Sequence, residues 1–175
     1  MSPFKKTSLY VFVLLALFYA GAVFYGSESL ASVTFQFVGK GREHQDKYIL
    51  GINSAEKAPD YILEVRVEDK WEVIGSKNNT FSGPKAITFS PQKRYPVRLI
   101  EEIRLMDMDT VENDFLLTAM FEKGTFQVGD YEFDITTRPS LMGGMSYFWH
   151  TSIGKALLAG ITLCVIILIL SAGIL

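Results

Sequence analysis

The sequence predicts an all-β central domain, an antiparallel β-sandwich of about eight strands, flanked by N- and C-terminal transmembrane helices. Three observations carry that expectation. Apolar residues make up 49% of the 175 and charged residues 21%, so an ordinary polar complement coexists with an apolar excess. That excess is concentrated at the two ends: all 19 acidic residues lie between Glu28 and Asp134, while 9–26 and 156–175 carry no charge. Between the ends, apolar residues recur with a period of two, and no stretch of helical length repeats at 3.6. This partition excludes a simple soluble monomer, a nucleic-acid binder built on a basic face and a disordered tail protein.

A short flank, 1–8, precedes the first apolar run, 9–26, which reaches roughly 27 Å as a helix at about 1.5 Å per residue. The run ending the sequence, within 153–175, reaches roughly 30 Å and is dense in Leu, Ile and Val from Leu157 to Leu170. Lys5 and Lys6 ahead of the first run, with Ser29-Leu30-Ala31 after it, also fit a cleaved secretory signal. The length of the run and its bulky Tyr10, Phe12, Phe18, Tyr19, Phe24 and Tyr25 point instead to a retained anchor. Positive charge on the short N-terminal flank places both termini in the cytoplasm and the central domain outside it.

A polar linker, 27–31, leads into a domain at 32–137. Its clearest alternation is Tyr61, Leu63, Val65 and Val67 against Glu64, Arg66 and Glu68, followed by Val97, Leu99, Ile103 and Leu105 against Arg98, Glu102 and Arg104. Further strands are expected at 33–38, 47–52, 71–74, 86–89, 115–121 and 131–136, with a short one at 125–128, each bounded by Gly, Pro, Asn or Asp. The segment 138–152 reads as a hinge whose Tyr147, Phe148 and Trp149 suit a membrane interface. Ala16 and Ala20, and Ala156 and Gly160, are small residues four apart through which the two spans are expected to pack.

Catalytic and metal-binding motifs are absent as patterns. The two histidines, His44 and His150, have no partner nearby in sequence, and the single cysteine, Cys164, lies in the second apolar run. The chain has no HExxH, CxxC pair, GxSxG elbow or P-loop. Glu101 and Glu102, as strand neighbours, should point to opposite faces. From Glu28 to Gly154 there are 14 Lys and Arg against 19 Asp and Glu, a net charge of −5, which gives the domain no electrostatic claim on anionic lipid.

One acidic cluster stands apart, Asp107-Met108-Asp109-Thr110-Val111-Glu112-Asn113-Asp114-Phe115-Leu116, directly after a strand. A polar turn explains it, since Asp and Asn favour chain reversals; three carboxylates curling around one hard cation also explain it. The strand ending in Asp-x-Asp, followed by Asn-Asp-Phe-Leu at the next strand, resembles the third calcium loop of C2 domains. Ala58-Pro59-Asp60-Tyr61 is similar to that family's first-loop element with Pro and Asp exchanged. The resemblance spans about Val33 to Thr136 and implies an eight-stranded C2-like sandwich, with Asp60, Asp107, Asp109 and Asp114 as Ca²⁺ ligands. The Asp109–Asp114 spacing is one residue short of the family pattern, Leu117 replaces a Gly, and the earlier first-loop Asp is missing. A metal-free C2-like sandwich agrees with the same residues.

The expected function is that of a non-catalytic, two-span membrane protein displaying the sandwich for protein or ligand interaction, as an accessory subunit of a membrane complex, with Ca²⁺ as its one candidate cofactor and no nucleic-acid partner. The alternative is a secreted sandwich with a cleaved signal and a C-terminal lipid-anchor signal, because Gly143-Gly144, a spacer and an apolar tail fit such a signal. A hydrolase using the acidic cluster comes last, for want of an activated nucleophile or tuned base.

Overall fold

The structure, a computed structural model, describes residues 3–25, 27–43, 58–108 and 113–172. It divides into two compact units, a helical one formed by Met1–Glu28 with Pro139–Leu175 and a β unit, Ser29–Arg138.

Among the described residues the β unit has eight strands: β1 (Glu28–Phe37), β2 (Tyr61–Val67), β3 (Lys70–Lys77), β4 (Ile87–Phe89), β5 (Ile100–Met108), β6 (Asn113–Met120), β7 (Gly124–Val128) and β8 (Tyr131–Pro139). They form two four-stranded sheets, ordered β4-β1-β8-β7 and β3-β2-β5-β6. The expected antiparallel β-sandwich is therefore the observed fold. Its core is the inward column of each strand: Val33 and Phe35 on β1, Tyr61, Leu63 and Val65 on β2, Ile103 and Leu105 on β5, and Phe133 on β8 are fully buried. Phe35 packs edge-on to Tyr61 at 4.9 Å and tilted against Phe133 at 6.0 Å between ring centres. Each buried ring or aliphatic chain contributes about 1.5–3 kcal/mol by leaving water.

Several boundaries differ from the sequence reading. The linker 27–31 is mostly strand, because Ser29 and Leu30 are buried and the Leu30 N–H bonds the Tyr95 carbonyl at 2.9 Å. Val97 and Leu99 belong to a 3-10 turn (Val97–Leu99) ahead of β5, so the alternation expected through them begins only at Ile100. The expected strand at 47–52 lies outside the described residues. The hairpin between β2 and β3 is a two-residue turn in which Glu68 and Asp69 both have positive φ, 50° and 62°, the handedness that matches strand twist.

A register shift between Arg66 and Val67 leaves Glu101 as an extra residue opposite Arg66. Both Glu101 and Glu102 consequently reach the Arg66 guanidinium, at 2.8 and 3.2 Å. The expectation that they diverge holds for a regular strand and fails at a bulge.

The helical unit holds α1 (Pro3–Tyr25), α2 (Leu141–His150) and α3 (Ser152–Ala172). The segment 138–152 is thus not a loose hinge throughout. Ser140 caps α2 by accepting the Gly143 N–H at 3.1 Å, and the Thr151 hydroxyl accepts the Gly154 N–H at 3.1 Å where α3 begins. Packing with α1 runs through Leu15, Tyr19 and Val23: Gly160 lies beside Leu15, Phe148 meets Tyr19 edge-on at 5.2 Å, and Gly144 sits against the Val23 carbonyl. Ala20 and Ala156 are exposed. Of the expected small residues, Gly160 does face α1 and Ala16 is half-buried, whereas Ala20 and Ala156 are not in the contact, and Gly144 packs against α1 in addition.

Candidate functional site

Strand direction decides where the functional residues gather. In this succession β1–β2, β3–β4, β5–β6 and β7–β8 all connect at one end of the sandwich, opposite the end where β1 begins and β8 finishes. Asp60 immediately precedes β2, Asp107 is the penultimate residue of β5, and Asp114 lies early in β6. Three of the four expected ligands thus share one end. Asp114 is paired with Asp107 in the β5–β6 register, while Asp109 and the side chain of Asp114 lie outside the described residues.

The two described aspartates work as loop fasteners. Asp107 continues the inward column of Ile103 and Leu105 and is fully buried, so its carboxylate points into the top of the sandwich. Its Oδ1 accepts the Asp60 N–H at 2.7 Å. Asp60 passes the connection on: its Oδ1 accepts the Asn79 N–H at 2.5 Å, and its carbonyl accepts the Met108 N–H at 2.8 Å. Asn79 returns a side-chain carbonyl to the Ala58 N–H at 3.3 Å. These bonds join the loops before β2, after β3 and after β5.

Beside them is a second carboxylate that sequence reasoning missed. Glu43, 8% exposed, accepts four hydrogen bonds: the Ser82 N–H at 2.7 Å, the Ser82 hydroxyl at 2.5 Å, the Gly83 N–H at 3.0 Å and the Tyr61 hydroxyl. The Tyr61 and Tyr131 hydroxyls are 3.2 Å apart. Burial first, and then the bond to Glu43, pushes the Tyr61 phenol far above its ordinary value, so it stays a donor at any pH the fold survives. Burial pushes Tyr131 up to about 12, with the Glu43, Asp107 and Asp130 charges adding to it. Burying a carboxylate costs several kcal/mol, and four donors offset that cost.

Chemically, this end is an anion-bearing clasp whose carboxylates are engaged as acceptors. Calcium takes six to eight oxygens. The two aspartates described each give one oxygen to a backbone N–H, and among the described residues no three acidic, His or Cys side chains gather as a metal-binding group. By themselves Asp60 and Asp107 do not make a cation site. A faint sequence signal for the clasp existed: Tyr61 and Tyr131 open their strands in the inward phase, and Asp107 shares the phase of Ile103 and Leu105.

No protein family matches the chain, and no curated protein does. Among solved structures it is similar to one of extended synaptotagmin 2 that contains two of its C2 domains, A and B, at 17% sequence identity and a TM-score of 0.34, over 62% of this chain and 41% of that one. The chain spans about two-fifths of the length of that structure. The sandwich here is defined by its own strand order.

Proposed function

We propose that the chain is a non-catalytic, two-span membrane protein that displays its sandwich outside the cytoplasm as a binding module for another protein in or at the membrane. The observation that carries this reading is the exposure of the two long apolar helices. Lys6–Tyr25 and Ser152–Leu170 have mean hydropathies of 2.1 and 2.6, yet only 11% and 6% of their most apolar windows are buried. A core helix of a soluble protein would be mostly covered. Leaving Leu14, Leu17, Phe18, Leu163 and Leu170 more than half exposed is costly in water and favourable in lipid.

Epitope tags at both ends should be protected or exposed together in sealed vesicles, while Lys85→Cys is labelled from the opposite side. A mature chain beginning at Ser32 on intact-mass measurement refutes the two-span reading in favour of the secreted, lipid-anchored alternative.

A second reading, Ca²⁺ held by Asp60, Asp107, Asp109 and Asp114, draws support from one observation, the bond that sets Asp60 beside Asp107 with Asp114 opposite in the register. With one first-loop ligand missing, affinity of about 10⁻⁴ to 10⁻³ M is expected, as in extracellular modules. Calcium at ten times Kd should stabilise the domain by about 1.4 kcal/mol. Asp107→Asn with Asp109→Asn should remove that gain; a melting temperature unmoved by millimolar calcium rejects the reading.

A further inference from the structure

Among the described residues, one side of the sandwich is open. β3 is an edge of its sheet and β4 an edge of the other, and both border a cleft of about 690 Å³ lined by Val73, Ile74 and Gly75 from β3 and by Phe89, Lys93 and Tyr95 across from it. A side chain at Gly75 would collide with the Phe89 ring, so glycine there lets the ring form the floor. A second hollow of about 350 Å³ borders Lys77, Lys85 and Ile87.

The charge of this seam opposes that of its domain. Among the described residues the one acidic group at these hollows is Glu72, in the larger, and it is held by Lys93 at 2.7 Å and Tyr95 at 3.0 Å. Lys77 and Lys85 are exposed and have no ion-pair partner among the described residues. Alternate N–H and C=O groups of an edge strand face outward, and β3 offers eight residues, roughly 26 Å of strand, with Ile74 as an extra residue where its pairing with β2 shifts register.

We propose that this seam receives an extended acidic segment of a partner protein, added as a strand along β3. The proposal rests on the reading of the sandwich as a binding module and names the chemistry of its partner. Main-chain bonds to β3 would supply affinity, alternate side chains would enter the Ile74–Phe89 cleft, and carboxylates would meet Lys77 and Lys85. A second copy of this chain does not suit the same edge. Two β3 strands laid antiparallel in full register would bring Lys70 of each against Lys77 of the other.

The test uses the full chain in nanodiscs of neutral phosphatidylcholine, with a fluorescein-labelled, end-capped peptide of alternating glutamate and valine, eight residues long to match β3. Lysine–valine and serine–valine peptides are controls. The glutamate peptide should bind best, weaken at least about tenfold when salt rises from about 50 to 300 mM, and slow amide exchange in Lys70–Lys77. Lys77→Glu with Lys85→Glu should lose the glutamate peptide and gain the lysine peptide, a swap that a misfolded variant cannot produce. Equal binding of all three peptides, slowed exchange on another strand, or a swap variant that still prefers glutamate overturns the proposal. Lysine-dependent binding to phosphatidylserine vesicles without peptide binding also overturns it and assigns the seam to lipid. Shared protection of the two termini is measured separately, so failure here leaves the two-span reading standing.

Discussion

Removing the Glu43 carboxylate should loosen the loop end of the sandwich by an amount that its hydrogen bonds set. Glu43→Ala leaves the Ser82 and Gly83 N–H groups and the Tyr61 hydroxyl without the acceptor they share. A buried donor left unsatisfied costs about 1–3 kcal/mol. Water entering the vacated space recovers part of three such costs, which gives a net loss of about 3–4 kcal/mol. Glu43→Gln keeps one acceptor oxygen but turns an NH₂ toward donors, so about 1–2 kcal/mol is expected. Urea unfolding followed by Trp71 fluorescence in a Trp149→Phe background reads both variants in the full chain in detergent. At a slope of about 1–1.5 kcal/mol per molar, the alanine variant should lower the midpoint by roughly 2–4 M without altering the slope. An alanine variant within about 1 kcal/mol of its parent would refute the argument that Glu43 holds the loops together.

Alkali should unfold the sandwich through its tyrosines. Tyr131 and Tyr95 are both pushed up to about 12 by burial, and Tyr61 is raised further; a raised phenol contributes stability fully present below its unfolded value near 10 and lost as pH climbs through the folded value. Phenolate absorbance from these three should therefore appear together with loss of the Trp71 signal, and their titration near pH 10 in a folded chain would contradict the assignment. In the helical unit, Gly144→Leu should separate α1 from α2, since a side chain there strikes the Val23 carbonyl, whereas Ala20→Leu, on an exposed position, should leave the pair intact. Cross-linking between cysteines at Tyr19 and Phe148, which meet across α1 and α2, reports that pairing in each variant, and equal loss in both would sink the distinction.

The alternation on β2, β5 and β8 made the sandwich legible because a strand with one buried face repeats at two. It failed where geometry adds a residue or a tighter turn. The extra residue at Glu101 returns two adjacent carboxylates to one guanidinium, and the 3-10 turn at Val97–Leu99 imitates alternation without being a strand. Asp60 and Asp107 were singled out for their loops, and the structure joins them. Their present work was legible only in the phase of Asp107: the alternation that runs from Ile103 through Leu105 places its charge on the core face. Glu43 carried no signal at all. It lies in a loop, and its burial depends on Ser82, Gly83 and Tyr61, brought to it from 18 to 40 residues away. Local sequence does not encode such meetings.

The loop end and the seam differ in what they leave for a partner. At the loop end the Glu43 carboxylate accepts four internal donors, and Asp107 and Asp60 each accept a backbone N–H, so these carboxylate oxygens are already engaged by N–H and O–H groups. Ligand binding through those oxygens would first break bonds that hold the loops in register, which sets its cost at about 1.5–3 kcal/mol for each charged bond displaced. Calcium is consequently expected to act as an addition to a formed end, through a gain in melting temperature rather than as a condition of folding. The seam asks for no such exchange. Among the described residues β3 is an edge strand and Lys77 and Lys85 are exposed, so an acidic strand would replace water with bonds of the same kind while covering Val73, which is 57% exposed. The net charge of −5 from Glu28 to Gly154 works against acidic segments in general, whereas at this edge Lys77 both opposes a second copy in full register, where it would meet Lys70, and with Lys85 favours an acidic segment.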